Sequence, residues 1–218
     1  MSGQEIRNYM NDEEFPEVTL VKVSGFEERK QETLAQRGIF YFFSEINTGS
    51  ARSLCSSLLW AAATLPPSQP LIVLLSTNGG DVDAGLTIYD TIKGVREQGR
   101  QVYTVAIGHC FSMGVVVLQA GSLRLITPNT YLMIHEISSW NWGKLSEQGD
   151  TIKYLSELQN RIFKILAERS TLTTVSLRRR CHRRNWWISP DEVLKYRLAD
   201  DILRDWSTLM TSISPSGG

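Results

Sequence analysis

One serine, Ser112, interrupts the run GHCFSMGVVVLQAG (Gly108–Gly121), placed between an aromatic residue and a methionine where a short apolar helix begins. Its hydroxyl can cap that helix or project from the helix N-terminus as a nucleophile, beside the N–H of Met113. Free N–H groups at such an end favour developing negative charge. Upstream, STNGGDVDAG offers an adjacent glycine pair, Gly79 and Gly80, which turns the chain sharply and presents bare N–H groups. A serine with two nearby N–H donors is the minimum equipment for acyl transfer. The glycine pair is otherwise a tight turn or a phosphate cradle, but G-x-G-x-x-G is absent and no Walker lysine follows.

A serine nucleophile needs a base, and the chain has three histidines. His109 shares the serine's turn, His135 ends the apolar segment YLMIHEI, and His182 lies within RRRCHRRN on a basic, exposed helix face. His135, a polar ring at the tip of a buried strand, is either the base or a satisfied structural residue.

Behind these residues the pattern alternates strand and helix. GIFYFFSEIN, which ends in turn residues, LIVLLST and QVYTVAIG are buried strands; LTIYDTIKGVREQG is an amphipathic helix, NGGDVDAG a turn before it, and HCFS a turn leading into MGVVVLQAG. EVTLVKVSGF reads as a strand, FEERKQETLAQRG as a helix, and LRLITPNTYLMIHEI as two short strands. Apolar strands alternating with helices predict an α/β domain with largely parallel pairing, whose ligands sit at the carboxyl ends of strands. From about Lys144 to Arg169 one long helix sets Ile152, Leu155, Leu158, Ile162, Ile165 and Leu166 on a stripe. At about 1.5 Å per residue it approaches 40 Å, long enough to act as an arm toward another subunit. TTVSLRRRCHRRN reads as a basic helix, and SPDEVLKY as a helix capped by Ser189.

Composition narrows the class. Lys plus Arg total 23 and Asp plus Glu total 23, so bulk attraction to nucleic acid or membrane is not expected. Three widely spaced cysteines, Cys55, Cys110 and Cys181, form neither a disulfide framework nor a zinc site, which points to a reducing cytoplasm and no metal. No apolar run reaches the roughly 20 residues of a membrane span. The arginine and tryptophan run RRRCHRRNWW could grip single-stranded nucleic acid, but a solvated or salt-bridged helix face fits better in a neutral chain.

TNGGDVDAGLTIYDTI, GHCFSMGVVVLQAG, LITPNTYLMIHE and WWISPDEVLKYRLADDI together resemble the ClpP-type serine peptidases, in order and spacing, over about Ile39–Ile202. The resemblance implies a crotonase-like α/β fold with a protruding handle and cleavage through a Ser–His–Asp triad. Ser112 matches the nucleophile and His135 the general base; the N–H groups of Gly80 and Met113 match the oxyanion hole. Extended substrate is expected to pair near Val82 and Ile137 by edge addition. The resemblance further implies no cofactor of the chain's own, stacked rings (sevenfold in the family) around a closed chamber, and unfolded chains delivered by a ring-shaped ATPase. The expected organisation is a leader over 1–36, a peptidase domain over 37–206 with its handle at about 137–169, and a tail over 207–218.

The third triad position departs from the family: alignment puts Asn185 where aspartate is expected. An amide oxygen can hold the histidine tautomer but supplies no charge for the imidazolium. Asn185 is therefore expected to orient His135 weakly, with Asp191 or Asp200 as substitutes. A subunit silent in a mixed ring, or a phage-type maturation peptidase, are the alternatives. Phe111 is expected to narrow the cleft beside Ser112, and Trp140 and Trp142 to stiffen subunit packing.

Overall fold

The computed structural model describes residues 26–138 and 144–211. The strand expected in EVTLVKVSGF, the tail SISPSGG and the tryptophans Trp140 and Trp142 lie outside the described residues. The chain divides into a small unit, residues 1–30, of which the start of helix α1 (Phe26–Gln36) is described, and a large unit, residues 31–218, which holds all that follows.

Strands β1 (Ile39–Phe42), β2 (Leu71–Thr77), β3 (Val102–Phe111), β4 (Leu123–Ile126) and β7 (Asp201–Ile202) run parallel in that spatial order. Two further strands, β5 (Tyr131–Ile134) and β6 (Trp186–Ile188), extend the sheet sideways from the end of β3. Helices α2 (Thr48–Thr64), α3 (Val82–Glu97), α4 (Met113–Leu118) and the long α5 (Leu145–Glu168) pack their apolar sides on one face. The central strands are apolar on both sides because a second, smaller cluster of Ile39, Ile72, Val105, Leu125, Leu203 and Leu209 covers the other face. Helices α6 (Thr174–Cys181), α7 (Pro190–Lys195) and α8 (Trp206–Thr211) complete the described chain.

One expectation changes. HCFS is not a turn: β3 runs on through Phe111, because the strand changes neighbour part-way. Residues 103–106 of β3 pair with β4, whereas 109–111 pair with β5, and an irregularity opposite Leu75–Thr77 absorbs the change of direction. That extension delivers the strand end to the site. The apolar stripe of α5 is only partly buried. Leu158, Ile162, Phe163 and Leu166 are buried in the domain core, while Ile152 is 67% exposed and Tyr154 52%. The first half of the helix therefore runs beyond the apolar cover of its own domain.

The elements are fixed at their ends by side chains. Asn47 and Ser50 form a capping box on α2, and Asp81 caps α3 through the Ala84 N–H at 2.7 Å. The buried Arg100 guanidinium gathers the carbonyls of Ala62, Leu65, Pro66 and Gln69 and so closes the turn after α2. Arg124, 1% exposed, is the largest fully buried side chain among the described residues. Its Nε and backbone N–H reach Asp200 at 3.1 and 2.8 Å, and its other nitrogens bind the Gln119 side chain and the Arg169 carbonyl. Asp200 is thereby committed to Arg124 and Arg169, and it does not serve His135. Burial alone would raise the Asp200 carboxyl, but the hydrogen bonds and charge of Arg124, with Arg169 behind it, hold it below its ordinary value.

Candidate active site

Strand β3 hands over to α4 at Ser112, whose φ of 53° and ψ of −121° lie in territory that non-glycine residues rarely occupy. The strain is held by the Ser112 N–H, which donates to Met133 O on β5 at 2.7 Å, and by the glycine turn packed behind it. Ser112 occupies the N-cap position of α4, yet its hydroxyl makes no capping hydrogen bond. The helix-cap alternative is thus excluded, and the hydroxyl is left for other work.

The glycine pair forms the opposite wall. A Cβ on Gly79 would lie 2.7 Å from both Phe111 O and Ser112 Cβ, so only glycine lets this turn approach the serine. Gly80 (φ +143°) pairs with Ile46, whose N–H and carbonyl bond Gly79 O and the Asp81 N–H at 2.7 and 2.8 Å. A Cβ on Gly80 would fall 2.1 Å from Ile46 O. Among the described residues, neither the Gly80 nor the Met113 N–H has an acceptor. Gly80→Ala is accordingly expected to cost about 2–4 kcal/mol, from strain and overpacking combined, in a urea unfolding midpoint.

Ser112, His135, Gly80, Met113, Val82 and Ile137 all line one cavity of about 260 Å³, floored by Ile162 and Leu166. Six of the seven residues expected at the site are thus brought together. His135 stands at the end of β5, half-buried, and its Nδ1 lies 2.5 Å from the Glu136 carbonyl. A carbonyl only accepts, so in the neutral ring this contact selects the tautomer with its proton on Nδ1 and its lone pair on Nε2, the one a base needs. No hydrogen bond joins Ser112 Oγ to the ring among the described residues; such bonds often close only around a substrate.

Asn185 is the seventh, and it stands apart from the other six. Asn185 is exposed, does not line the cavity and makes no hydrogen bond to His135. The acceptor for Nδ1 is the Glu136 carbonyl instead. Its cause is local: Arg183 takes a positive φ of 55°, its N–H donates to the Glu136 carboxylate at 3.0 Å, and His182 lies 3.5 Å from the same group. The Arg183 N–H, opposed by slight burial and aided by His182, holds that carboxyl below its ordinary range. Glu136 and the turn before β6 are thereby tied together at the rim. The acid directly after His135 in MIHEI was the available sign of this tie.

Phe111 is corrected. Its ring lies outside the cavity lining, edge-on to Trp187 at 5.1 Å and tilted against His109. His109 itself faces Ser76, 3.4 Å from its hydroxyl. His182 is largely exposed, as its basic surroundings suggested. Within the arginine run, the Arg180 guanidinium packs over the edge-to-face pair of Trp186 and Tyr196, 4.8 and 4.7 Å from their centroids, and Arg178 binds Asn160. Those side chains act inside the fold. All three cysteines are free and buried, and burial pushes the Cys110 and Cys55 thiols up and that of Cys181 to about 11, so none supplies a thiolate. Among the described residues, no cluster of His, Cys, Asp and Glu could hold a metal ion, and no helix is long and apolar enough to cross a membrane.

The family model described as Clp protease matches residues 26–205. Among similar curated proteins, the ATP-dependent Clp protease proteolytic subunit of Deinococcus radiodurans is 30% identical over 167 residues, 76% of this chain and 79% of its own length. The subunit of that name from Streptococcus suis is 29% identical, covering 72% and 80% of the two chains. The proteolytic subunit 2 of Tropheryma whipplei is 28% identical, covering 78% and 92%. The chain belongs to the Clp protease family and has its ClpP-type α/β fold; at the level of the family it is a serine peptidase.

Proposed function

We propose that this chain is a serine endopeptidase subunit in which Ser112 attacks the scissile carbonyl and His135 Nε2 takes the proton and returns it to the leaving amine. The N–H groups of Gly80 and Met113 receive the oxyanion, and substrate backbone runs between Val82 and Ile137. The observation that carries this reading is Ser112 itself: a strained elbow residue whose hydroxyl caps nothing and faces the cavity shared with His135. A fluorophosphonate probe tests it. Ser112 is expected to be labelled covalently, with labelling lost in Ser112→Ala; an unlabelled but folded protein would sink the assignment.

The bare first half of α5, with Ile152 and Tyr154 exposed, supports a contact with further copies of the chain in stacked rings around a chamber. The relatives are named as ATP-dependent proteolytic subunits, so a ring-shaped ATPase that feeds unfolded polypeptide is the proposed partner, in the cytoplasm. Asn185, which stands where the family resemblance expects aspartate and is exposed away from the cavity, favours one second reading, a slow or silent subunit that builds a mixed ring.

Asn185 tests how the base is held. The Glu136 carbonyl already fixes the tautomer, and an exposed carboxylate at 185 would be screened by solvent and salt. Asn185→Asp is therefore expected to change kcat by less than about threefold. A gain of about tenfold or more would show that His135 turns to residue 185 during turnover.

A further inference from the structure

Beyond His135 the chain runs along the cavity rim as Glu136 and Ile137. The Ile137 N–H is the donor that an extended substrate would use by strand addition. It is already taken. Gln159, in the middle of α5 and itself on the cavity wall, accepts it through Oε1 at 2.6 Å.

The state of Gln159 is unusual. The residue is only 9% exposed, and its Nε2 is buried without a hydrogen-bond partner. A buried carboxamide ordinarily satisfies both of its ends. With one end engaged and the other orphaned, the hydrogen bond to Ile137 is offset by the unmet donor, so moving the carboxamide aside costs little. Chemically the group is a peptide bond in miniature, with a carbonyl oxygen lying where a substrate carbonyl would lie. One N–H serves one strong acceptor well, and the two carbonyls therefore exclude one another.

We propose that Gln159 is an internal competitor of the substrate: its carboxamide imitates a peptide carbonyl at the Ile137 N–H and is displaced when the backbone of an extended polypeptide pairs along that rim. The ligand class is main chain in extended form, independent of side-chain identity. The inference rests on the peptidase reading for what enters the cavity, and it makes Gln159 a positioning residue that sets how easily the rim accepts a strand.

Binding alone tests it, in the full-length chain carrying Ser112→Ala, with a fluorescein-labelled peptide of eight residues followed by anisotropy. Gln159→Met keeps the volume and removes the acceptor; it is expected to tighten binding by about three- to tenfold, the equivalent of one neutral hydrogen bond. Gln159→Glu keeps the acceptor and makes it charged, and is expected to weaken binding by about threefold or more. Thermal unfolding checks that each variant is folded, and either variant decides if the other is not. Opposite signs support the competitor. Equal affinities, or weakening in both, overturn it and leave Gln159 a strap that only props Ile137. Probe labelling of Ser112 in the parent is read separately: its failure removes the peptidase reading, while the anisotropy still decides what Gln159 does.

Discussion

Ser112→Ala is expected to lower peptide turnover by about 10⁶, to the background left by binding and the oxyanion donors, as nucleophile removal does where residues act as a unit. The size follows from how the residue is used. The hydroxyl contributes no cap to α4, so its loss removes chemistry and almost nothing else. Hydrolysis of a fluorogenic peptide, with labelling by the serine probe as control, measures it. Ser112→Gly sharpens the prediction. Glycine relieves the backbone held at φ 53°, and that relief exceeds the added chain entropy by about 1 kcal/mol. The glycine variant is therefore expected to be as inactive as the alanine variant but to melt a few degrees above the parent. A glycine variant less stable than alanine would show that no strain is stored at the elbow.

Arg124→Met is expected to destabilise the fold by about 3–5 kcal/mol, because it leaves the Asp200 carboxylate, 28% exposed, with only the backbone N–H of residue 124 and the longer contact to Arg169 at 3.4 Å. It also orphans Gln119 Oε1 and removes the guanidinium ties between β4 and Asp200, leaving the backbone bonds in place. Adding Asp200→Asn removes the stranded charge and is expected to recover more than half of the loss in a urea titration. The pH dependence has a definite sign. The Asp200 carboxyl is lowered in the folded state, so its contribution is present above its unfolded value of 3.8 and disappears as pH falls through the lower folded value. The parent should thus lose this stability in acid, and the double variant should lack that part of the acid sensitivity.

Which parts of this molecule were open to a reader of the sequence follows from the range of the interactions involved. Ser112, His135 and the glycine turn were legible because nucleophile, base and close backbone approach each demand a residue type at a place set by local chain geometry. Strand β6 was not: three residues of WWI carry no period, and their strand character comes only from pairing with β5. The passage of β3 through HCF was hidden for the same reason, since its last residues are strand only by virtue of β5. Asn185 was placed by alignment, but where its side chain stands is decided by Arg183 and Glu136, two charged residues whose tie is tertiary. For Gln159, nothing in its neighbours along the chain announced that it would be enclosed.

Helix α5 spans two environments, and Gln159 stands near the boundary between them. Its first half exposes Ile152 and the ring of Tyr154, whose hydroxyl reaches Asp83 on α3 at 3.4 Å, while its second half is locked in the core by Phe163 and Leu166. A continuous helix is stiff along its axis, so a neighbour that grips its first half tilts a rod whose middle touches Ile137, two residues beyond His135. Communication between a docking event and the reacting groups would then need no refolding and no relay of side chains, only a tilt small enough to break one contact of 2.6 Å.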